Sequence, residues 1–278
     1  MYKLLNAGFY RLIKNKIFFG IIAITLIIAG GLFYMIDLSY GLDIILLKNI
    51  ETIGFFISIF TSLFVGLEYA NGTIRNKIVV GHSRIKIYFS NLIICITVGI
   101  ILEVIYMLFV FIAGISLHIG MKIPISQFLK ILLNIVMIIV TYSSIFNCIT
   151  LLCHDITMST VIGIILILAM FVIDGALSQT ANAEKYRYKI TSNEQGVITK
   201  EIIGLNSNYP GDTKKKIAQS IKYIIPTGQA NQINLNISNQ IRLNEDAVDT
   251  TNLLWYSITT IIIINFMGIF FFNKKELK

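Results

Sequence analysis

Glu103 stands out among the residues able to do chemistry, because it lies near the middle of a long apolar run. A carboxylate at that depth is costly unless it is protonated, paired or facing a cavity, so it is a site candidate by default. Asn134, Asn147 and Asp174 also fall in or near apolar runs and are weaker pathway candidates. Amides in such places more often join helices by hydrogen bonds. His154-Asp155 lacks a third partner and reads as cap or turn chemistry, while His82 and His118 are isolated. Cys95, Cys148 and Cys153 have neither zinc-ribbon nor disulfide spacing and read as small buried hydrophobes. The chain carries no H-E-x-x-H motif, no paired membrane aspartates and no G-x-x-x-x-G-K-[ST] phosphate loop. Those absences argue against intramembrane proteolysis and against nucleotide hydrolysis by this polypeptide, so no metal and no cofactor are expected on it.

A different constellation is denser. Glu68-Tyr69-Ala70-Asn71-Gly72-Thr73-Ile74-Arg75-Asn76-Lys77 continues through Gly81-His82-Ser83-Arg84 to Tyr88. Asn71-Gly72 predicts a turn, with Thr73 as a possible helix cap. Thr73 to Val80 predicts a helix of about two turns, ended by Gly81. The polar break at His82-Ser83-Arg84 then leads into the next apolar run. A short basic helix held between two membrane spans is well placed to take a push and pass it to both.

The elements that must hold this loop follow from composition. Of the 278 residues 55% are hydrophobic and 14% charged, against roughly 25% charged in a soluble domain. About 20 apolar residues cross a hydrocarbon core of about 30 Å. Six segments meet that test, roughly 17–36, 52–67, 88–117, 127–151, 157–177 and 254–272. The fold class expected is therefore an all-α polytopic membrane protein. The first apolar run is too long for a signal peptide and reads as an uncleaved span. Residues 1–16 predict an amphipathic helix lying in the interface, with Tyr2, Leu5, Phe9, Leu12 and Ile13 near one face.

Eleven Lys and Arg residues, between Lys3 and Lys278, flank one side of these spans, against Lys48, Lys122 and Lys130 on the other. The positive-inside rule then places both ends and the 68–88 loop in the cytoplasm. The net charge of +8 is thereby assigned to topology and lipid headgroups rather than to nucleic acid. Residues 178–253 become one external segment of α/β character. Tyr186, Tyr188 and Ile190 alternate with polar residues, Asn193 to Gly196 offers a turn, and Val197 to Thr199 predicts a second strand. Asp212 is a predicted helix cap, and Ile217, Ile221, Ile224 and Ile225 form a stripe that stops at Pro226 and needs a neighbouring hairpin, a second subunit or the membrane surface to bury against.

The loop resembles that of ATP-binding-cassette (ABC) exporter permeases of the type-2 membrane class. In that family the region reads close to E-Y-x-x-G-T-x-R-x-K, then G-x-S-R and an aromatic at the start of the third span. Glu68, Tyr69, Gly72, Thr73, Arg75, Lys77, Gly81, Ser83, Arg84 and Tyr88 match in order and spacing. Pro226-Thr227-Gly228-Gln229 also resembles an element found before the last span of such permeases. The resemblance implies a bacterial cell-membrane permease, multi-pass, working as a homodimer or heterodimer among membrane lipids. It implies a separate cytoplasmic ATPase subunit that binds ATP and Mg²⁺, with residues 68–88 as coupling loop and residues 1–16 as connecting helix. Export of a hydrophobic or amphipathic substrate, such as a peptide antibiotic, drug or lipid, is the implied activity. The competing expectation is an ion-coupled carrier or channel without an ATPase, which the scarcity of intramembrane charge and the lack of internal repeats disfavour.

Overall fold

A computed structural model describes residues 1–35, 41–153, 155–192, 198–243 and 250–275, with backbone alone at 188–192, 198–201 and 242–243. Six helices are long and apolar enough to cross a membrane: α2 (Lys16–Met35), α3 (Leu42–Ala70), α5 (Arg84–Ser116), α6 (Ile125–Leu152), α7 (Ile156–Ala181) and α10 (Thr251–Lys274). Before them comes α1 (Tyr2–Ile13). The short α4 (Thr73–Val79) follows α3, and β1 (Tyr186–Ser192), β2 (Ile198–Leu205), α8 (Asp212–Ile224) and α9 (Pro226–Leu243) separate α7 from α10. The chain is an all-α polytopic membrane protein with one small two-stranded sheet.

The second span is longer than its hydropathy suggests, 29 residues rather than 52–67. Its first turns carry Asp43, Lys48 and Glu51, and each charge is met. Asp43 accepts the Lys122 backbone N–H at 2.6 Å, and Lys48 pairs with Glu51 at 2.9 Å. Paired charges let the helix continue where unpaired ones would end its burial. This α3 forms the centre of the bundle, packed on α2, α5, α6, α7 and α9. On α2, α7 and α10, large apolar residues such as Ile27, Val172 and Phe266 face outward, as expected of helices that meet lipid or a neighbouring protein.

The amphipathic helix is present, but rotated from the expected face. Leu4, Gly8 and Leu12 are buried, with Gly8 against Ile94 of α5. Tyr2 and Ile13, placed on the apolar face by their spacing, are exposed. The helix thus has a protein-facing stripe beside its outward apolar residues, which a single 3.6-residue period cannot separate.

β1 and β2 form the expected antiparallel hairpin, with Tyr186 opposite Leu205 and an irregularity at Arg187/Tyr188. The expected turn at 193–196 lies outside the described residues. Asp212 does not cap α8. Gly211 precedes the helix, and Asp212 sits in its first turn without a side-chain cap bond. There it receives the Tyr209 hydroxyl and still complements the helix dipole.

The α8–α9 pair is the main feature the sequence did not announce. Lys215 donates to Ala183 O at 2.8 Å and Gln219 to Ala181 O at 3.0 Å. Lys222 lies 3.8 Å from Asp174, and Thr227 donates to Met170 O at 3.2 Å. So α8 runs antiparallel to α7, back along the last 11 residues or so of that span, about 16 Å at helical rise. α9 then climbs away. Asn231 bonds Asp174 at 2.7 Å, Asn234 bonds Glu51 at 2.7 Å, and Gln240 exchanges amide bonds with Gln127 near the start of α6. The pair forms a helical hairpin with Pro226 at its inner tip, at Pro's favoured first helical position.

Of the covers open to the α8 stripe, a neighbouring element of the same chain is the one this packing does not supply among the described residues. The buried residues of α8 are Ala218 and Lys222, while Ile217, Ile221 and Ile224 are exposed. Among the described residues nothing covers these three isoleucines, while Ile225 is half-buried.

Candidate functional site

The loop after α3 is built as a rigid step. The left-handed backbone falls on glycine at both ends of α4, with φ of 64° at Gly72 and 94° at Gly81. Gly72, not Thr73, takes the cap position, and no side-chain cap bond forms. At the other end His82 N–H donates to Lys77 O and Gly81 N–H to Ile78 O. This double closure satisfies the last carbonyls of α4 and requires the positive φ that Gly81 supplies. Ser83 then caps α5, accepting from the Lys86 N–H at 3.4 Å. Ile74 is buried as the anchor of α4. Its opposite side presents Arg75 and Asn76 beside Val79 and Val80, 78% and 77% exposed.

One carboxylate fastens this step to the bundle. Glu68, 2% exposed, receives Arg11 of α1 at 2.8 Å, Lys77 of α4 and the Asn91 amide of α5 at 3.0 Å. Arg11 also stacks over the Phe64 ring, 3.8 Å from its centroid. Four helices therefore meet at a buried charge whose partners neutralise it. Arg11 and Asn91 were not identifiable as its partners beforehand. Arg11 lies 57 positions away (68 less 11) and reads in sequence as an ordinary topology cation.

A second junction ties the loop to the last span. Tyr69 donates to Leu151 O at 2.8 Å. Lys275 reaches the Tyr69 hydroxyl at 3.1 Å, Leu151 O at 3.0 Å and Cys153 O at 2.7 Å. Burial pushes the Lys275 ammonium down to about 8, against the opposing pull of Cys153. Arg84 holds the C-terminal carbonyls of α10, Phe272 O at 2.8 Å and Lys275 O at 2.6 Å, where a cation also suits the helix dipole. Tyr88 is buried and donates to Asn265 of α10 at 3.0 Å. The α1 helix and the last turn of α10 thus converge on the α4 end of the bundle. α4 packs on α3 and α5, and Glu68, Tyr69, Arg84 and Tyr88 on those two helices carry the bonds onward to α1, α6 and α10.

The pathway candidates each bond different partners. Glu103 accepts from Asn49 of α3 at 2.7 Å, and its other oxygen has no partner among the described residues. Asn134 bonds Thr250 ahead of α10 at 3.1 Å. Asn147 donates to Tyr88 O at 3.4 Å. Asp174 belongs to the α8–α9 cluster, with Asn231 and Lys222. These are four separate joints between helices. Asp155 caps α7 through Thr157 N–H at 3.4 Å, and His154 lies outside the described residues. Among the described residues no group of three or more His, Cys, Asp or Glu could hold a metal.

The Pro226-Thr227-Gly228-Gln229 element has a packing explanation. Gly228 lies so close to Lys222 that an added Cβ would meet its carbonyl oxygen at 2.2 Å. Gln229 is fully buried, donating to Tyr223 O at 2.6 Å and accepting from Ser257 of α10 at 2.7 Å. These residues close the helical hairpin and lock it to the last span.

No curated protein matches the chain. A family model described as ABC-2 family transporter protein matches residues 48–277, from within α3 to the end of the last span. With six spans around a rigid loop step and a match over most of its length, the chain belongs to the ABC-2 family of transporter proteins.

Proposed function

We propose that the chain is the permease subunit of an ABC exporter, driven by ATP that a separate cytoplasmic ATPase subunit hydrolyses. On this reading the α4 end of the bundle is cytoplasmic, α4 is the coupling helix and α1 the connecting helix at the membrane surface. The observation that carries it is the exposed Arg75, Val79 and Val80 face on a helix bolted through Glu68 to three others. A cation flanked by bare aliphatics is a poor surface to leave in water and a good one for a protein partner. Two permease copies, identical or paralogous, would each offer such a face to an ATPase. Hydrophobic or amphipathic substrates suit a bundle whose interior carries amides and hydroxyls but few charges. Within it Glu103 is the pathway candidate, because one of its buried oxygens has no partner among the described residues.

Arg75→Glu tests the coupling role. It reverses the charge of an exposed side chain, so the fold should persist. The expected result is ATP hydrolysis that no longer drives transport in reconstituted vesicles, with the dimer retained. Transport at the wild-type rate would remove α4 from the coupling path.

A further inference from the structure

The helical hairpin leaves a second surface without a role. Beside the exposed Ile217, Ile221 and Ile224 runs a parallel stripe one residue earlier in phase, Lys216, Ser220 and Tyr223. With Asn252, Trp255 and Tyr256 of α10, that stripe lines an open cleft of about 430 Å³. The Tyr223 and Tyr256 rings meet edge to face at 5.7 Å. Among the described residues no carboxylate lines the cleft. Lys216 is exposed, and among the described residues it has no bonded partner.

Depth decides what this cleft meets. Gln219 sits level with Ala181 at the end of the α7 span. One turn or so deeper, Lys222 reaches Asp174, and the tip reaches Met170. On the other wall Asn252 and Trp255 belong to the first turns of the α10 span. Lys216 therefore lies at headgroup level, Trp255 just below it, and Ile221 and Ile224 at acyl-chain level. That order of cation, indole and aliphatics matches the order of phosphate, glycerol and hydrocarbon in a leaflet.

We infer that the α8–α10 cleft binds an anionic phospholipid of the leaflet at this end of the bundle. Lys216, Ser220 and Asn252 receive the phosphate, and the acyl chains lie along the isoleucine stripe and the face of Trp255. Lipid packed there would cover the isoleucines that the described residues leave bare. The inference rests on the membrane fold and not on the ATPase coupling.

Trp255 is the only tryptophan and is 68% exposed, so it reports the cleft directly. The full chain is reconstituted in phosphatidylcholine vesicles containing small fractions of brominated phosphatidylglycerol or brominated phosphatidylcholine. Bromine quenches the indole on contact. Brominated phosphatidylglycerol should quench at about fivefold lower mole fraction, the preference one lysine gives near an anionic surface. Lys216→Gln should make the two lipids equivalent without shifting the Trp255 emission maximum, which shows that the fold is kept. Equal quenching by both lipids in the wild-type protein would overturn the inference, as would quenching by aqueous iodide instead. Insensitivity to every quencher would also overturn it, and would mean that protein, such as a second copy, covers the cleft.

Discussion

Glu68→Gln should destabilise the protein by about 3 kcal/mol and abolish ATP-driven transport. Removing one member of a buried ion pair costs about 3–5 kcal/mol, because the remaining charge is left uncompensated. Here two cations lose their counter-ion, Arg11 and Lys77. Their partial exposure, 34% and 15% for the side chains, and the Phe64 ring under Arg11 set the effect at the lower end of that range. Glutamine keeps the shape and can still accept from Asn91, so the loss isolates charge. Thermal unfolding in detergent reads the stability. The double variant Glu68→Gln, Lys77→Met should recover part of the loss, because it removes one of the orphaned cations. No recovery, with a single-variant loss below about 1 kcal/mol, would mean that Glu68 is an ordinary surface pair.

Gly228→Ala is expected to open the helical hairpin. The added Cβ meets Lys222 O at 2.2 Å and Lys222 Cγ at 2.7 Å. The first of these is backbone, so no rotamer change relieves the clash. Overpacking of a well-filled site costs about 1–3 kcal/mol. Here it would also displace Gln229 from Tyr223 O and Ser257, and Lys222 from Asp174. The measurement is limited proteolysis of the α8–α9 segment in proteoliposomes, where cleavage should appear in the variant under conditions that leave the wild type intact. Gly175→Ala is the control, because nothing lies within 4 Å of its Cβ position. Equal resistance in both variants would contradict the close packing of Gly228.

Sequence patterning carried the spans because a run of about 20 apolar residues has one cheap solution in lipid. It failed at the start of α3, where Asp43, Lys48 and Glu51 dilute the apolar signal. Their compensating groups, Lys122 and Asn234, lie far along the chain. It failed more completely at α9, whose Asn- and Gln-rich sequence suggests an exposed segment. That helix is packed by amide pairs such as Gln127 with Gln240 while Ala230 and Ile233 are fully buried. The stripe on α8 was legible as a pattern, but not in direction, because nothing local tells an isoleucine face that meets protein from one that meets lipid. At the loop, the Asn71-Gly72 turn and the Gly81 stop were legible because backbone conformation is a local property, whereas the cap was expected at Thr73 and falls on Gly72 and, for the next helix, on Ser83. The Glu68 junction was not legible, since its two cations and its amide partner come from three other helices.

The most direct test of the coupling account places a photo-crosslinking amino acid at Val79, whose side chain is 78% exposed on α4. The complex is purified in detergent from the cells that make it, then irradiated. The expected result is a covalent product joining this chain to a nucleotide-binding ATPase subunit, identified by mass spectrometry of the linked peptides. A purified transport-competent complex that contains no ATPase, or an ATPase that never links to α4, would contradict the account.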